Sequence, residues 1–253
     1  MLKKILICTL TLALLLSFCG CSLIDQLLGS DDIDDFVFDG EVVDDLPAAT
    51  LPTVTDTTEP QKEIETPAES ETEETFGIGS TTEKTYRNEF IGIQCTLNLD
   101  WTFMSDAEIR TQNEATLGVM GDDYASALAN ASLIYDMMAY HSNATDTLGV
   151  VLEKLSGTNL LISEEQYLTA SMNSAVGSLQ SMGISVTAAE IVKVQFAGAE
   201  HYALTIEGNY AGFAIYECLV VVKCDGYIAA ITACTWDTNT CMEILDRFQP
   251  YTN

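Results

Sequence analysis

The stretch IYECLVVVKCDGYIAAITACTW, residues 215–236, decides the fold. Asp225-Gly226 lies between two apolar runs, and an Asp-Gly pair in that setting signals a tight hairpin turn. Each run is apolar at successive positions rather than alternate ones, so both faces of this part of the sheet must be covered. Cys218 and Cys234 fall on the two strands. A two-residue loop sends them to opposite faces. A three-residue loop sets them diagonally on one face, which is usually too wide for a disulfide without adjustment.

More strands surround this hairpin. VKVQF (192–196) puts Val192, Val194 and Phe196 on one face. HYALTIE (201–207) turns Tyr202, Leu204 and Ile206 inward and His201, Thr205 and Glu207 outward, with Gly198 and Ala199 as the turn between the two. LIYDMMAY (133–140) and LGVVLEKL (148–155) supply two further strands. IGIQCTLNL (91–99) alternates strictly, which predicts a half-buried strand with Ile91, Ile93, Cys95, Leu97 and Leu99 inward. Helices are marked by capping boxes, in which a Ser or Thr and a residue three positions on satisfy each other's free backbone amides. Ser163 with Gln166 opens a helix whose apolar face is Leu168, Met172, Ala175, Leu179 and Met182, and Gly183 stops it. Ser105 with Glu108 opens a second. Thr240 with Glu243 opens a third, which carries Met242, Leu245 and Phe248 and ends at Pro250. Residues 122–131 are a candidate short helix. Hairpin connections dominate, so the class is α+β with a largely antiparallel sheet covered by helices.

This order of elements resembles the PsbP/Mog1-like α/β/α sandwich, in particular the small PsbP-like domains of Gram-positive lipoproteins. The resemblance is carried by EFIGIQCTLNLDW (89–101), SEEQYLTASMNSAVGSLQSMGISV (163–186), GAEHYALTIEG (198–208), VVVKCDGYIAAITAC (220–234) and CMEILDRFQPY (241–251). It spans residues 86–253 and implies an assembly factor or binding adaptor, with no catalytic residues to carry over.

The first residues address location. Lys3 and Lys4 precede an apolar run from Ile5 to Phe18. A membrane-spanning helix needs about 20 apolar residues, so this shorter run reads as a secretory signal. Its end, Cys19-Gly20-Cys21, resembles a bacterial lipobox, in which a small residue precedes the cysteine that is lipidated. Gly20 before Cys21 fits, and bulky Phe18 before Cys19 does not. Residues 1–21 are therefore expected to be a lipoprotein signal peptide, with Cys21 as the acylated anchor. One acyl chain holds a protein to a membrane only marginally, so stable anchoring takes more than one.

Residues 22–85 hold 18 Asp or Glu and two Lys, which is −16 of the net −28. The second half of this segment is mostly Thr, Glu, Pro and Ser, with too few apolar residues to offset the entropy of ordering. It is expected to be a disordered acidic tether spanning ~45 Å or more. Within it, DDIDDFVFDGEVVDD (31–45) raises the question of a calcium loop. Counted from Asp35, Val37 and Leu46 stand where loop positions 3 and 12 need oxygen ligands, so a solvated spacer is the expected reading. The acidity also argues against a nucleic-acid partner, whose phosphates require Lys and Arg. Residues 86–253 form the third part, one domain by length.

Chemistry is sparse in that domain. His141 and His201 fall in strands, and neither neighbours a candidate nucleophile. GIGSTT at Gly77 lacks the third glycine of a dinucleotide fingerprint. Cys95, Cys218, Cys224, Cys234 and Cys241 form no Cys-x-x-Cys and no zinc spacing, and as an odd set they are expected to be buried free thiols. No metal, cofactor or catalytic residue is expected. The expected function is a non-enzymatic binding or adaptor module, lipid-anchored on the extracytoplasmic face of the membrane, with a protein partner in the envelope. The alternatives are a hydrolase or redox enzyme whose site sequence does not reveal, and a small-ligand-binding lipoprotein. A deep pocket holding His141 or His201 beside a carboxylate favours the enzyme; an exposed apolar patch favours the adaptor.

Overall fold

The computed structural model describes residues 76–119 and 121–251, so Cys21, the signal-like start and the 31–46 stretch lie outside the described residues. The strands in chain order are β1 (Ser80–Thr81), β2 (Thr85–Asn88), β3 (Ile93–Thr96), β4 (Trp101–Phe103), β5 (Leu133–His141), β6 (Thr147–Lys154), β7 (Ser185–Phe196), β8 (Ala199–Tyr210), β9 (Phe213–Cys224), β10 (Tyr227–Trp236) and β11 (Phe248–Pro250). The helices are α1 (Asp106–Leu117), α2 (Tyr124–Asn130), α3 (Glu164–Ser181) and α4 (Cys241–Leu245). Seven strands form the main sheet in the order β4-β5-β6-β10-β9-β8-β7, and four form a second sheet in the order β1-β2-β3-β11. Every pairing is antiparallel. The class is α+β.

The hairpin of residues 215–236 closes tightly. Cys224 pairs with Tyr227, and Asp225 and Gly226 take φ of 24° and 79°. The two-residue loop places Cys218 in the core on one face of the sheet and Cys234 in the core on the other. Its strands are covered on both faces, as their continuous apolar run demands. The neighbouring turn is Ala197-Gly198 rather than Gly198-Ala199, because Phe196 pairs directly with Ala199. Both turn residues have positive φ, 45° and 83°.

On one face, α3 lays Leu168, Ala175 and Leu179 over Leu204, Ile206, Leu219 and Val221. The Ser163–Gln166 box forms as read, and the chain leaves the helix at Gly183 with φ of 86°. On the same face α1, started by the Ser105–Glu108 box, packs Ile109 against Tyr135, Met138 and Val151. A bulge interrupts β5 between Tyr135 and Met137. Asn113 of α1 repairs it: its Oδ1 accepts the Tyr135 N–H at 2.8 Å and its Nδ2 donates to the Tyr135 carbonyl at 2.8 Å. The bulged residue itself is Asp136.

The opposite face departs from the expected sandwich. Its cover is the second sheet together with α4, so Tyr86, Ile93, Cys95, Leu97, Ile244 and Phe248 pack on Met137, Val150, Val220 and Ile231. The alternating stretch at 91–99 makes only a short strand, paired with β2 and β11, before Trp101 N–H bonds the Asn98 carbonyl and the chain crosses to the main sheet. Leu99 sits on that crossing and is 84% exposed, not inward. The last helix is also shorter than its periodicity predicts. Thr240 makes no side-chain cap, α4 ends at Leu245, and Phe248 pairs with Cys95 instead. Burial of Phe248 against Tyr86 and Phe196 outweighs continued helix. Finally, the described residues ahead of 86 take part in the fold. Residues 76–85, counted above with the tether, supply β1 and an arm bonded to Asp136.

Candidate functional site

Three groups of side chains carry candidate chemistry, and one carboxyl of the third, Glu217, stands beside a thiol of the second. The first contains His201. It was expected to face solvent, yet its side chain is only 16% exposed. Its Nδ1 lies 2.9 Å from Oε1 of Glu164, the first residue of α3. Oε1 also accepts the Lys223 N–H at 3.2 Å, and Oε2 accepts the Tyr202 N–H at 3.3 Å. Burial pushes the Glu164 carboxyl up, but the bonds from His201, Lys223 and Tyr202 outweigh it and hold the group below its ordinary value. Lys223 Nζ meanwhile donates to the carbonyls of Leu160 and Ile162 at 2.7 and 2.9 Å. The arrangement ties the start of α3 to the end of the sheet. His201 and Glu164 thus form a His–carboxylate pair whose carboxylate also accepts two backbone amides. His141 stands elsewhere, accepting the Asn143 N–H at 3.3 Å and meeting the Trp101 ring at 5.2 Å. Glu164 went unnoticed in the sequence because its position in a capping box reads as helix-start polarity.

The second group is the cysteines. The five cysteines among the described residues form no disulfide there, with Cys95, Cys218, Cys234 and Cys241 buried and Cys224 half-buried. Burial pushes Cys95 and Cys218 up to about 12 and Cys241 up to about 11, and Cys234 is raised as well. Such thiols stay protonated, and the thiolate is the reactive form. Cys241 Sγ lies 3.3 Å from the Tyr216 carbonyl, and Cys218 Sγ lies 3.6 Å from Met242 Sδ. These are packing contacts for small side chains.

The third group is buried carboxyls, which the sequence reading did not single out. Asp136 is 5% exposed and accepts from Tyr86 Oη, from Asn88 Nδ2 at 2.8 Å and from the Gly79 N–H at 2.5 Å. Burial raises its carboxyl, and these three donors pull it back part of the way. Glu153 receives the Tyr167 hydroxyl at 2.6 Å. Glu217 on β9 is 3% exposed and has no hydrogen-bond partner at either oxygen among the described residues. It faces Cys234 of β10 and Ile206 of β8, and burial pushes it up to about 8. No group of three His, Cys, Asp or Glu among the described residues is placed to hold a metal ion.

What the surface offers instead is apolar. Leu160 and Leu161, in the 3-10 turn Gly157–Leu161, are 47% and 87% exposed. The turn is held firmly: the Leu155 N–H bonds the Gly226 carbonyl, and Lys223 grips the Leu160 carbonyl from β9. At the other end of β9, Phe213 is 52% exposed beside Trp236, which also meets Tyr210. No helix among the described residues is long and apolar enough to cross a membrane.

No protein-family model matches the chain, and no curated protein does. Among solved structures it is similar to LpqN, involved in cell envelope biogenesis of Mycobacterium tuberculosis, at 12% identity and a TM-score of 0.37 over 63% of this chain and 83% of that one. It is also similar to the cyanobacterial PsbP, CyanoP, of Synechocystis sp. PCC 6803, at 13% identity and a TM-score of 0.38 over 70% of this chain and 98% of that one. The α+β class itself rests on the strands and helices described above.

Proposed function

We propose that this protein is a non-enzymatic binding or adaptor module held at the extracytoplasmic face of a membrane through lipid on Cys21. The observation that carries the reading is the apolar run 5–18 ending in Gly20-Cys21, followed at once by an acidic, Pro- and Thr-containing stretch and then a folded domain. The domain's polar chemistry supports the binding half of the proposal. Its buried carboxyls are dispersed, four of its thiols are packed inside, and the oxygens of Glu164 are committed to backbone amides of the sheet. Leu160 and Leu161 are the contact surface, since a rigidly held turn offers apolar area to a protein partner at little ordering cost.

The test has two parts. Cells making the full chain are fed an alkyne palmitate analogue, and label is expected on the wild type and not on Cys21→Ser. Cross-linking in intact cells is then compared for the wild type and for Leu160→Glu/Leu161→Glu. A partner captured by the first and lost from the second supports the adaptor. Equal labelling of Cys21→Ser sinks the anchor, and capture that ignores the Leu pair sinks this surface.

A further inference from the structure

We infer that residues 76–81 are a releasable strap, latched into a groove of the domain by Asp136, and that its release opens the groove to an extended peptide of the same kind. The strap is attached differently from the sheets. Its β pairing is only two residues long, Ser80 with Arg87 and Thr81 with Tyr86, at the outer edge of the second sheet. Beyond that pairing it is held at four points, one of them the Thr81 hydroxyl donating to Asp106 Oδ1 at 3.1 Å. The Gly79 N–H donates to Asp136 Oδ1, Asn88 Nδ2 donates to the Gly77 carbonyl at 3.3 Å, and the Phe76 ring stacks on Tyr227 at 4.8 Å and meets Phe90 edge-on at 5.4 Å. Between these points the packing is incomplete. An open pocket of about 320 Å³ borders the strap, lined by Phe76, Gly77, Ile78 and Ser80 of the strap and by Arg87, Glu89 and Phe90 of the domain, and Ile78 is 46% exposed.

The groove residues of the domain also hold one another. Phe90 and Tyr227 hold each other edge to face at 5.3 Å, and Asp136 is bound to Tyr86 and Asn88. A segment with few buried contacts opens at lower free energy than the sheet beneath it. An exposed strand edge with a side-chain pocket is also the geometry that accepts an added strand. Gly79 is the residue that permits closure. A Cβ there runs into the Tyr86 ring and comes within 2.8 Å of Asp136 Oδ2 and 3.0 Å of the Arg87 carbonyl. Gly79, the second glycine of GIGSTT, thus serves close approach to the protein's own carboxylate.

The strap stands or falls independently of the adaptor reading. Native-state hydrogen exchange on the full chain tests it, with residue resolution at the strap and at β9 and β10. In the wild type the strap amides, Gly79 included, are expected to exchange at least tenfold faster than those of β9 and β10. Gly79→Ala is expected to speed the strap by a further tenfold or more and leave β9 and β10 unchanged. A fluorescent peptide FGIGSTT (76–82) is expected to bind Gly79→Ala saturably and the wild type at least tenfold more weakly. Strap amides exchanging in step with β9 and β10 in the wild type overturn the strap, and this measurement decides even where Gly79→Ala fails to fold. A released strap with no peptide binding overturns the groove.

Discussion

Glu217 allows a quantitative test of how burial sets stability. Its carboxyl lies in the core on the face covered by α3, makes no hydrogen bond among the described residues, and is pushed from its ordinary 4.5 up to about 8. Desolvation is the cause. Between those values the folded domain holds a proton that the unfolded chain has released. Stability therefore falls as pH rises, by about 1.4 kcal/mol per pH unit for one group. The penalty is absent below pH 4.5, reaches roughly 3 kcal/mol at pH 7 and levels off near 5 kcal/mol above pH 8. Glu217→Met keeps the volume and removes the charge. Replacing an unpaired buried polar group by an apolar one of the same shape is neutral or stabilising. Urea unfolding followed by Trp101 and Trp236 fluorescence at pH 5, 6, 7 and 8 gives the comparison. Near pH 5 the two proteins should differ by about 1 kcal/mol, and by pH 8 the variant should lead by several kcal/mol. Glu217→Gln separates charge from polarity: it should abolish the slope while retaining the cost of an unpaired amide. A wild-type-minus-variant difference that stays constant from pH 5 to pH 8 would refute the reasoning.

Two further outcomes follow from the geometry. Glu164→Gln should lower stability by roughly 1–3 kcal/mol at pH 7, because a charge-assisted set of bonds to His201, Tyr202 and Lys223 is lost. Since the folded carboxyl lies below its ordinary value, that contribution is present above pH 4.5 and disappears as pH falls through the folded value; urea midpoints at pH 7 and pH 3 should show a gap that closes at the lower pH. Thiol labelling of the native protein, mapped by peptide mass, should modify Cys224 within residues 86–253 well before Cys95, Cys218, Cys234 and Cys241, which should react at comparable rates only after unfolding; early labelling of Cys241 would contradict its burial.

Local chemistry was legible wherever a signal acts within a few residues. Asp225-Gly226 announced the hairpin, and the two-residue loop seen in the structure then sends Cys218 and Cys234 to opposite faces. Ser105 and Ser163 announced their helices because a cap is satisfied three residues away. The same local logic misread Thr240. Its box spacing is correct, but a partner far away in sequence, β3, claims Phe248 and ends the helix early.

The buried groups were hidden for a related reason. Asp136, Glu153 and Glu217 look like surface acids in a chain with 38 Asp and Glu, and nothing in their neighbours marks them otherwise. Glu164 joins His201 across a separation of 37 residues, and Gly79 joins Asp136 across 57. By itself the sequence determined the α+β class, the antiparallel hairpins, the acidic character and the apolar-face place of Cys95, because composition and periodicity of 2 or 3.6 residues set these. Only the tertiary structure decided that a second sheet rather than a helix layer covers one face, that Leu99 is exposed, and that residues 76–81 belong to the fold. Those outcomes depend on which distant surfaces bury each other, and the free energy of that burial is a property of pairs of segments that no single segment displays.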